Sequence, residues 1–293
     1  MGMTDNTKRL IMALSTNDIV GAKKCAIACM SEDTTSKNAI FINKYKPILE
    51  HATSLIELPP NLKYKLEALD MSTFREDRYY LSKECEDIVN EISKMRVVSE
   101  KLSELQIPYL NSTLLYGESG TGKTTLAKYI AYKMNLPYVY INFSQIIDSL
   151  MGKTSSTINL AFNFVKTTPC IFMIDEIDAI GIKRSLSSNS GADGEINRVT
   201  ITMMQELDNL PNDVILIAAT NRKDIIDEAL LRRFSLKKEI HLPTEEEKID
   251  IANMYVNTVP YKFEYEDLIN KANTQADIVN LIIKRLANTL INT

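Results

Sequence analysis

The feature that most constrains this chain is the stretch GESGTGKT at residues 117–124. It follows a short apolar run at residues 114–115 and opens an amphipathic run, which predicts a turn between a strand and a helix. Its three glycines allow positive φ angles, so that successive backbone N–H groups converge on phosphate oxygens. A plain glycine turn is the alternative, but the preceding strand and the following Lys, Thr and helix favour a phosphate-binding loop.

Two side chains of this stretch carry separate chemistry. Lys123 supplies a point charge to the β- and γ-phosphates of a nucleotide, and the hydroxyl of Thr124 is a ligand for Mg²⁺. The helix that begins near Lys123 adds the positive end of its dipole. The stretch therefore predicts binding of ATP together with Mg²⁺.

Two carboxylates follow the apolar run in CIFMIDEID, residues 170–178. Ligands bind at the carboxyl edge of an open α/β sheet, where this strand would end. We expect Asp175 to hold magnesium through water, and Glu176 to orient and deprotonate a water that attacks the γ-phosphate. Many buried strands finish in solvated carboxylates, so the acids are informative only beside the phosphate loop. Asp178 is interpreted as a solvated or capping acid.

Asn221 and an arginine pair complete the candidate catalytic set. Asn221 ends the run VILIAATN, where its amide can bond to the attacking water or the γ-phosphate; the alternative is an Asn that opens a turn. Arg232 and Arg233 follow an apolar helix end in DEALLRRFS. Arginine near such a site can neutralise charge on the transferring group, in cis or from a neighbouring subunit, and a surface ion pair is the alternative.

Short strand-like runs alternate with helix-like runs between residues 76 and 243. They are apolar on both faces, which is typical of parallel strands covered by helices. We predict an α/β domain with a P-loop and a doubly wound parallel sheet over residues 76–243, a small helical N-terminal unit and connector over 1–75, and a helical domain over 244–293. The strand-like runs are STLLYG, YVYINF, CIFMID, VILIAAT and KKEIHL.

The net charge and the length of the apolar runs argue against nucleic acid and membranes as partners. The formal net charge of −4 offers no global attraction to nucleic acid or to an anionic membrane. Apolar runs are too short to span a bilayer and the N-terminus lacks a signal-peptide pattern, so we expect a soluble, cytoplasmic protein. Cys25, Cys29 and Cys170 lack nearby histidine partners for a metal and are interpreted as small apolar side chains.

The chain resembles the AAA+ ATPases, and more narrowly their AAA subfamily of protein-remodelling ATPases. The resemblance lies in four motifs that occur in order and are followed by a helical tail: the phosphate loop, FMIDEID, AATN and ALLRRF. The resemblance covers about residues 76–293. It implies a helical lid on the α/β domain and a hexameric ring of identical subunits with ATP and Mg²⁺ between them.

The resemblance also implies roles for individual residues. Asp175 and Glu176 correspond to the Walker B acids, Asn221 to the first sensor, and Arg232 and Arg233 to arginine-finger candidates that act on the next subunit's ATP. Ala276 would lie near the nucleotide, and Arg198 would face the subunit interface. The Walker A segment comprises Gly117, Glu118, Ser119, Gly120, Thr121, Gly122, Lys123, Thr124 and Thr125.

Three positions depart from the family's pattern. Glu118 and Ser119 stand where the family often has two prolines, and they place an extra carboxylate near the phosphates. The two arginines are adjacent, whereas the subfamily commonly separates them by Pro-Gly. DSLMGKT stands in place of the substrate-gripping pore loop. We predict that Leu150 and Met151 contact substrate there, with simple packing as the alternative, and that residues 184–195 form a flexible second pore loop.

These features favour an ATP-hydrolysing ring that remodels, unfolds or translocates proteins, with its N-terminal helices recruiting a client or adaptor. A separately encoded protease is a further partner that this hypothesis allows. One alternative is a nucleic-acid-associated AAA+ switch or loader, against which the slightly acidic composition argues. Another is an assembly scaffold in which ATP only fixes the ring.

Overall fold

The computed structural model describes residues 3–15, 19–33, 35, 37–51, 58–63, 65–144, 154–180 and 191–291. Within them, one sheet has the strand order β1-β3-β4-β5-β2-β6. Every neighbouring pair from β3 to β6 is parallel, which confirms the predicted α/β sheet. The strands are β1 (Glu67–Leu69), β2 (Asn111–Tyr116), β3 (Tyr138–Asn142), β4 (Ile171–Asp175), β5 (Ile215–Thr220) and β6 (Leu236–Glu239).

The edge strand β1 adds an antiparallel member that the sequence prediction missed. It pairs with β3 and lies in the segment interpreted as a connector. Three residues are too few to show a periodic pattern, and none of the three is fully buried. Leu66 and Met71, on either side of β1, are buried against the sheet. The packed α/β unit therefore begins upstream of residue 76, the predicted domain boundary.

The helices of the described residues follow the predicted alternation. The strands of the sheet are separated by helices, and a helical segment follows β6, as expected. The helices are α1 (Asp5–Ser15), α2 (Ile19–Glu32), α3 (Ala39–His51), α4 (Lys83–Glu104), α5 (Lys123–Met134), α6 (Thr154–Val165), α7 (Gly191–Asp208), α8 (Glu228–Leu231), α9 (Glu245–Asn257), α10 (Glu266–Ile269) and α11 (Gln275–Ile291).

Helix α7 begins inside the segment predicted to be a loop. The prediction of a flexible loop over residues 184–195 is therefore wrong from residue 191 onward, and residues 184–190 lie outside the described part of the chain. Ser and Gly are poor helix formers, so local propensity favoured a loop. The buried side chains of Val199 and Met203 further along α7 pack on the sheet, and this tertiary contact outweighs local propensity.

Alternating side chains of the strands feed two cores, one on each face of the sheet. Leu114 and the strand side chains on its face of the sheet pack against α6 and α7. Leu115 and the side chains on the opposite face pack against α4 and α5. A third, smaller core lies within the C-terminal helices, where Ile251, Ile278 and Ile282 are buried. Its first helix, α9, starts at a capping box in which Thr244 and Glu247 bond reciprocally.

The cysteine interpretation holds for Cys170, which is fully buried, whereas Cys25 and Cys29 are only partly buried. The described residues contain no cluster of His, Cys, Asp or Glu that could bind a metal on its own. Among the helices of the described ranges, none is long and apolar enough to cross a membrane.

Candidate nucleotide-binding site

The loop between β2 and α5 has the backbone conformation that the sequence predicts. Gly117, Gly120 and Gly122 have φ angles of 139°, 80° and 95°. A Cβ atom on Gly117 would lie 2.2 Å from the carbonyl oxygen of Ile240, so this close approach admits only glycine. The loop therefore has a conformation that L side chains rarely adopt, as expected for a phosphate cradle.

Lys123, the first residue of α5, is buried at the centre of this loop. Its Nζ atom donates hydrogen bonds to the carbonyl oxygens of Gly117 at 2.9 Å and Glu118 at 2.7 Å. Burial lowers the pKa of Lys123, and the carboxylate of Asp175 opposes this shift. The loop thus wraps around a single ammonium group.

The hydroxyl of Thr124 and the carboxylate of Asp175 lie together at the carboxyl edge of the sheet. Thr124 Oγ1 donates a hydrogen bond to Asp175 Oδ2 at 2.8 Å, and the backbone N–H of Glu176 donates to Asp175 Oδ1 at 3.0 Å. A hydroxyl and a carboxylate are hard oxygen donors of the kind that Mg²⁺ prefers. The residues present therefore fit the predicted metal.

Glu176 has a strained backbone. Its φ angle of 52° lies in the left-handed region, which costs about 1–2 kcal/mol for a residue with a Cβ. Such strain concentrates at functional sites, where the surrounding structure holds it. Here it places Glu176 on the wall of the same cleft as Asp175.

A cleft of about 500 Å³ lies between the phosphate loop and the C-terminal helices. It brings together most of the predicted site, namely Ser119, Gly120, Gly122, Lys123, Thr124, Thr125, Asp175, Glu176, Asn221 and Ala276. The loop members Gly117, Glu118 and Thr121 do not line it. Glu118 is exposed, and Thr121 Oγ1 donates a hydrogen bond to the Glu118 carbonyl oxygen at 3.0 Å.

The remaining cleft residues were missed from the sequence. Arg78 joins the segment before α4 to the end of α9. Its guanidinium lies 5.4 Å from the centre of the Tyr255 ring, and its Nε donates a hydrogen bond to Thr258 Oγ1 at 3.0 Å. Arg78, Tyr79 and Tyr255 belong to no sequence motif, and their only signal is their position in space. The missed lining residues are Arg78, Tyr79, Tyr255, Gln275, Val279 and Asn280.

The start of α11 is bonded to the phosphate loop. The backbone N–H of Ala276 donates to the carbonyl oxygen of Gly120 at 3.2 Å. Thr274 and Asp277 cap the helix reciprocally, at 3.0 and 3.1 Å. Hydrogen bonds from the Thr274 side chain and from its backbone N–H lower the pKa of the Asp277 carboxyl. A ligand on the phosphate loop would therefore also contact the C-terminal helices.

Asp178 is more than the solvated or capping acid expected from the sequence. Its Oδ1 atom accepts a hydrogen bond of 2.7 Å from the hydroxyl of Thr220, the last residue of β5. This bond fixes the strand end that presents Asn221 to the cleft.

The two arginines lie away from the cleft and differ from each other. Arg233 forms a two-pronged ion pair with Asp208, at 2.8 and 2.7 Å, and also donates to the carbonyl oxygen of Ala229 at 2.7 Å. The Arg232 side chain is 80% exposed, with Glu228 4.0 Å away. Arg198 is exposed on α7. Leu150 and Met151 lie outside the described residues.

The fold and this cleft define a P-loop nucleotide-binding protein. Residues 113–243 match the model of the ATPase family associated with various cellular activities, AAA, and the chain carries a domain of that family.

Several curated proteins share this region. A proteasome-activating nucleotidase of Methanococcus maripaludis is 40% identical over 154 residues, covering 51% of this chain and 38% of the relative. The 26S proteasome regulatory subunit 10B homolog A of Arabidopsis thaliana is 38% identical over 57% of this chain and 44% of its own length. The 26S proteasome regulatory subunit 6A of Schizosaccharomyces pombe is 33% identical over 68% and 47%. The chain thus spans less than half the length of these relatives.

Proposed function

We propose that this chain is an ATP-hydrolysing motor that remodels, unfolds or translocates proteins as a hexameric ring in the cytoplasm. The observation that carries the proposal is the 2.8 Å contact between Thr124 and Asp175, beside Glu176 in one cleft with the phosphate loop. Nucleotide binding alone would not need an acid at the position of Glu176. The AAA domain and the names of its relatives support protein remodelling over other uses of ATP.

The cleft residues divide the work of hydrolysis. Lys123 binds the β- and γ-phosphates, and Thr124 and Asp175 hold Mg²⁺, which supplies neutralising charge when bound. Glu176 orients a water molecule and takes its proton, while Asn221 hydrogen-bonds to that water or to the γ-phosphate. Residues 244–291 act as a lid, because α11 contacts the phosphate loop directly through Ala276.

Arg232 is the residue that acts on the ATP of a neighbouring subunit. Arg233 is held by three hydrogen bonds within its own subunit, to Asp208 and Ala229, whereas the Arg232 side chain extends into solvent. A guanidinium that reaches another subunit must be free of strong partners in its own. Leu150 and Met151 contact the client polypeptide, and a separate protease complex receives it, as the names of the relatives suggest.

Glu176→Gln tests the hydrolysis step. The substitution removes the proton acceptor and keeps the shape, so phosphate release should fall by about 10²- to 10⁴-fold. Binding of a fluorescent ATP analogue should persist. The matched control is Glu104→Gln, which changes an exposed residue at the end of α4 and should turn over normally. Normal phosphate release by Glu176→Gln would refute the assignment.

The same Glu176→Gln variant tests which class of substrate the ring acts on. Glu176→Gln with ATP should retain an unfolded model polypeptide on the ring, and turnover of the unchanged protein should rise with that polypeptide but not with DNA. Stimulation by DNA alone would instead support the switch or loader hypothesis. Nucleotide-dependent ring formation without any hydrolysis would support the scaffold hypothesis.

A further inference from the structure

The Asp175 carboxylate is held on both of its oxygens, and one of its partners comes from a neighbouring strand. The Tyr140 hydroxyl on β3 donates to Asp175 Oδ2 at 3.3 Å. The same oxygen accepts the Thr124 hydroxyl at 2.8 Å, and the other accepts the Glu176 N–H at 3.0 Å. Tyr140 therefore contacts the proposed metal ligand from β3, the strand paired with β4, and not from the phosphate loop.

The direction of the Tyr140 proton is set by a second contact. Asn142 Nδ2 donates to the Tyr140 phenol oxygen at 3.4 Å. Because this oxygen accepts a hydrogen bond from Asn142, its own proton is free to point at Asp175. Residues two apart on a strand share a face, so Tyr140 and Asn142 both reach the region above β4, where Asn142 pairs with Asp175.

We propose that Tyr140 is a positioning residue for the magnesium site. A carboxylate rotates broadly about its terminal torsion unless its oxygens are held. The Tyr140 hydroxyl restrains that rotation, so that Asp175 presents its oxygens beside Thr124 before the metal arrives. Partners behind a metal ligand commonly change metal affinity by about 10- to 100-fold when removed. This inference rests on the proposed function, because it takes Asp175 and Thr124 as the residues that hold Mg²⁺.

The strand itself supplies a matched control. Tyr138 lies on the same face of β3, its ring stacks with that of Tyr140 at a centroid distance of 6.3 Å, and its hydroxyl has no hydrogen-bond partner among the described residues. Tyr138→Phe and Tyr140→Phe each remove one phenol oxygen from the same face. Only the second removes a contact to Asp175.

The test measures nucleotide binding, not turnover. Fluorescence anisotropy of a labelled non-hydrolysable ATP analogue is recorded over a series of Mg²⁺ concentrations and in EDTA. Tyr140→Phe should raise the Mg²⁺ concentration for half-maximal tight binding by about 10-fold, at the low end of the range for such partners, and leave affinity in EDTA unchanged. Tyr138→Phe should match the unchanged protein. In an Asp175→Asn background, Tyr140→Phe should have no further effect.

Several results would overturn the proposal. An unchanged Mg²⁺ requirement in Tyr140→Phe would refute positioning while leaving the proposed function intact. An equal shift in Tyr138→Phe, or lost affinity in EDTA, would show a general packing effect. Binding that ignores Mg²⁺ in the unchanged protein would refute the metal assignment itself. If Tyr140→Phe does not fold, Asn142→Ala should show a smaller shift in the same direction, and no shift there would count against the proposal.

Discussion

Gly117→Ala should destabilise the chain more than the same change at Gly120 or Gly122 in the phosphate loop. Gly117 follows β2 directly, has a φ angle of 139°, and faces the backbone of Ile240 just beyond β6. An added Cβ would lie 2.2 Å from the Ile240 carbonyl oxygen, whereas close C···O contacts in proteins are about 3.3 Å or more. The backbone must therefore move by roughly 1 Å. Such a movement strains the bond of 2.8 Å from the Ile240 N–H to the Tyr116 carbonyl.

Two effects set the size of the loss. A side chain forced into a sparsely populated φ/ψ region costs about 1–3 kcal/mol. Overpacking against rigid neighbours costs about 1–3 kcal/mol more. The expected loss in the free energy of unfolding is thus about 2–6 kcal/mol, a large part of the ~5–15 kcal/mol that stabilises a typical domain. Urea unfolding followed by far-UV circular dichroism measures this loss directly.

Gly122→Ala separates the two effects. Gly122 also has a positive φ, of 95°, but its added Cβ would meet the end of a flexible side chain, Gln275 Oε1, at 2.5 Å. Gln275 can rotate away, so only the backbone cost of about 1–3 kcal/mol should appear. A loss below about 1 kcal/mol in Gly117→Ala, or equal losses in the two variants, would refute the steric argument for Gly117.

Further predictions concern single contacts. Arg233→Ala should lower the free energy of unfolding by about 1–2 kcal/mol in urea, because it breaks the two-pronged pair with the exposed Asp208 and the hydrogen bond to the Ala229 carbonyl oxygen. Arg232→Ala should change stability by less than about 0.5 kcal/mol yet lower phosphate release by the assembled ring by about 10³-fold; mixing with a subunit that supplies the arginine should restore turnover, and no rescue would refute action across subunits. Thr244→Ala should cost about 1 kcal/mol in the same urea assay through loss of the α9 cap, whereas Thr244→Ser should cost little. Thr113→Val should raise the melting temperature, because it removes a buried hydroxyl that has no partner among the described residues and whose burial costs about 1 kcal/mol or more; a lower melting temperature would show that the hydroxyl is satisfied.

Much of the site was predictable because its signals are local. The phosphate loop depends on glycines that take positive φ within a few residues, and the structure has those angles at residues 117, 120 and 122. Asp175, Glu176 and Asn221 were predictable because each ends an apolar run, and the carboxyl ends of parallel strands meet at one edge. The start of α9 has an equally local signal, a Thr followed by acidic residues.

The sequence alone determined where the five parallel strands lie, which turn has the phosphate-loop pattern and which acids stand beside it, because periodicity, glycine freedom and capping act over a few neighbouring residues. Only the tertiary structure decided that β1 pairs with β3, that Tyr140 bonds to Asp175, that Arg78 reaches Tyr255, and that Arg233 is paired with Asp208 while the Arg232 side chain is mostly exposed. These contacts join residues that are in most cases tens of positions apart. Their geometry follows from strand order and core packing, which no local pattern specifies.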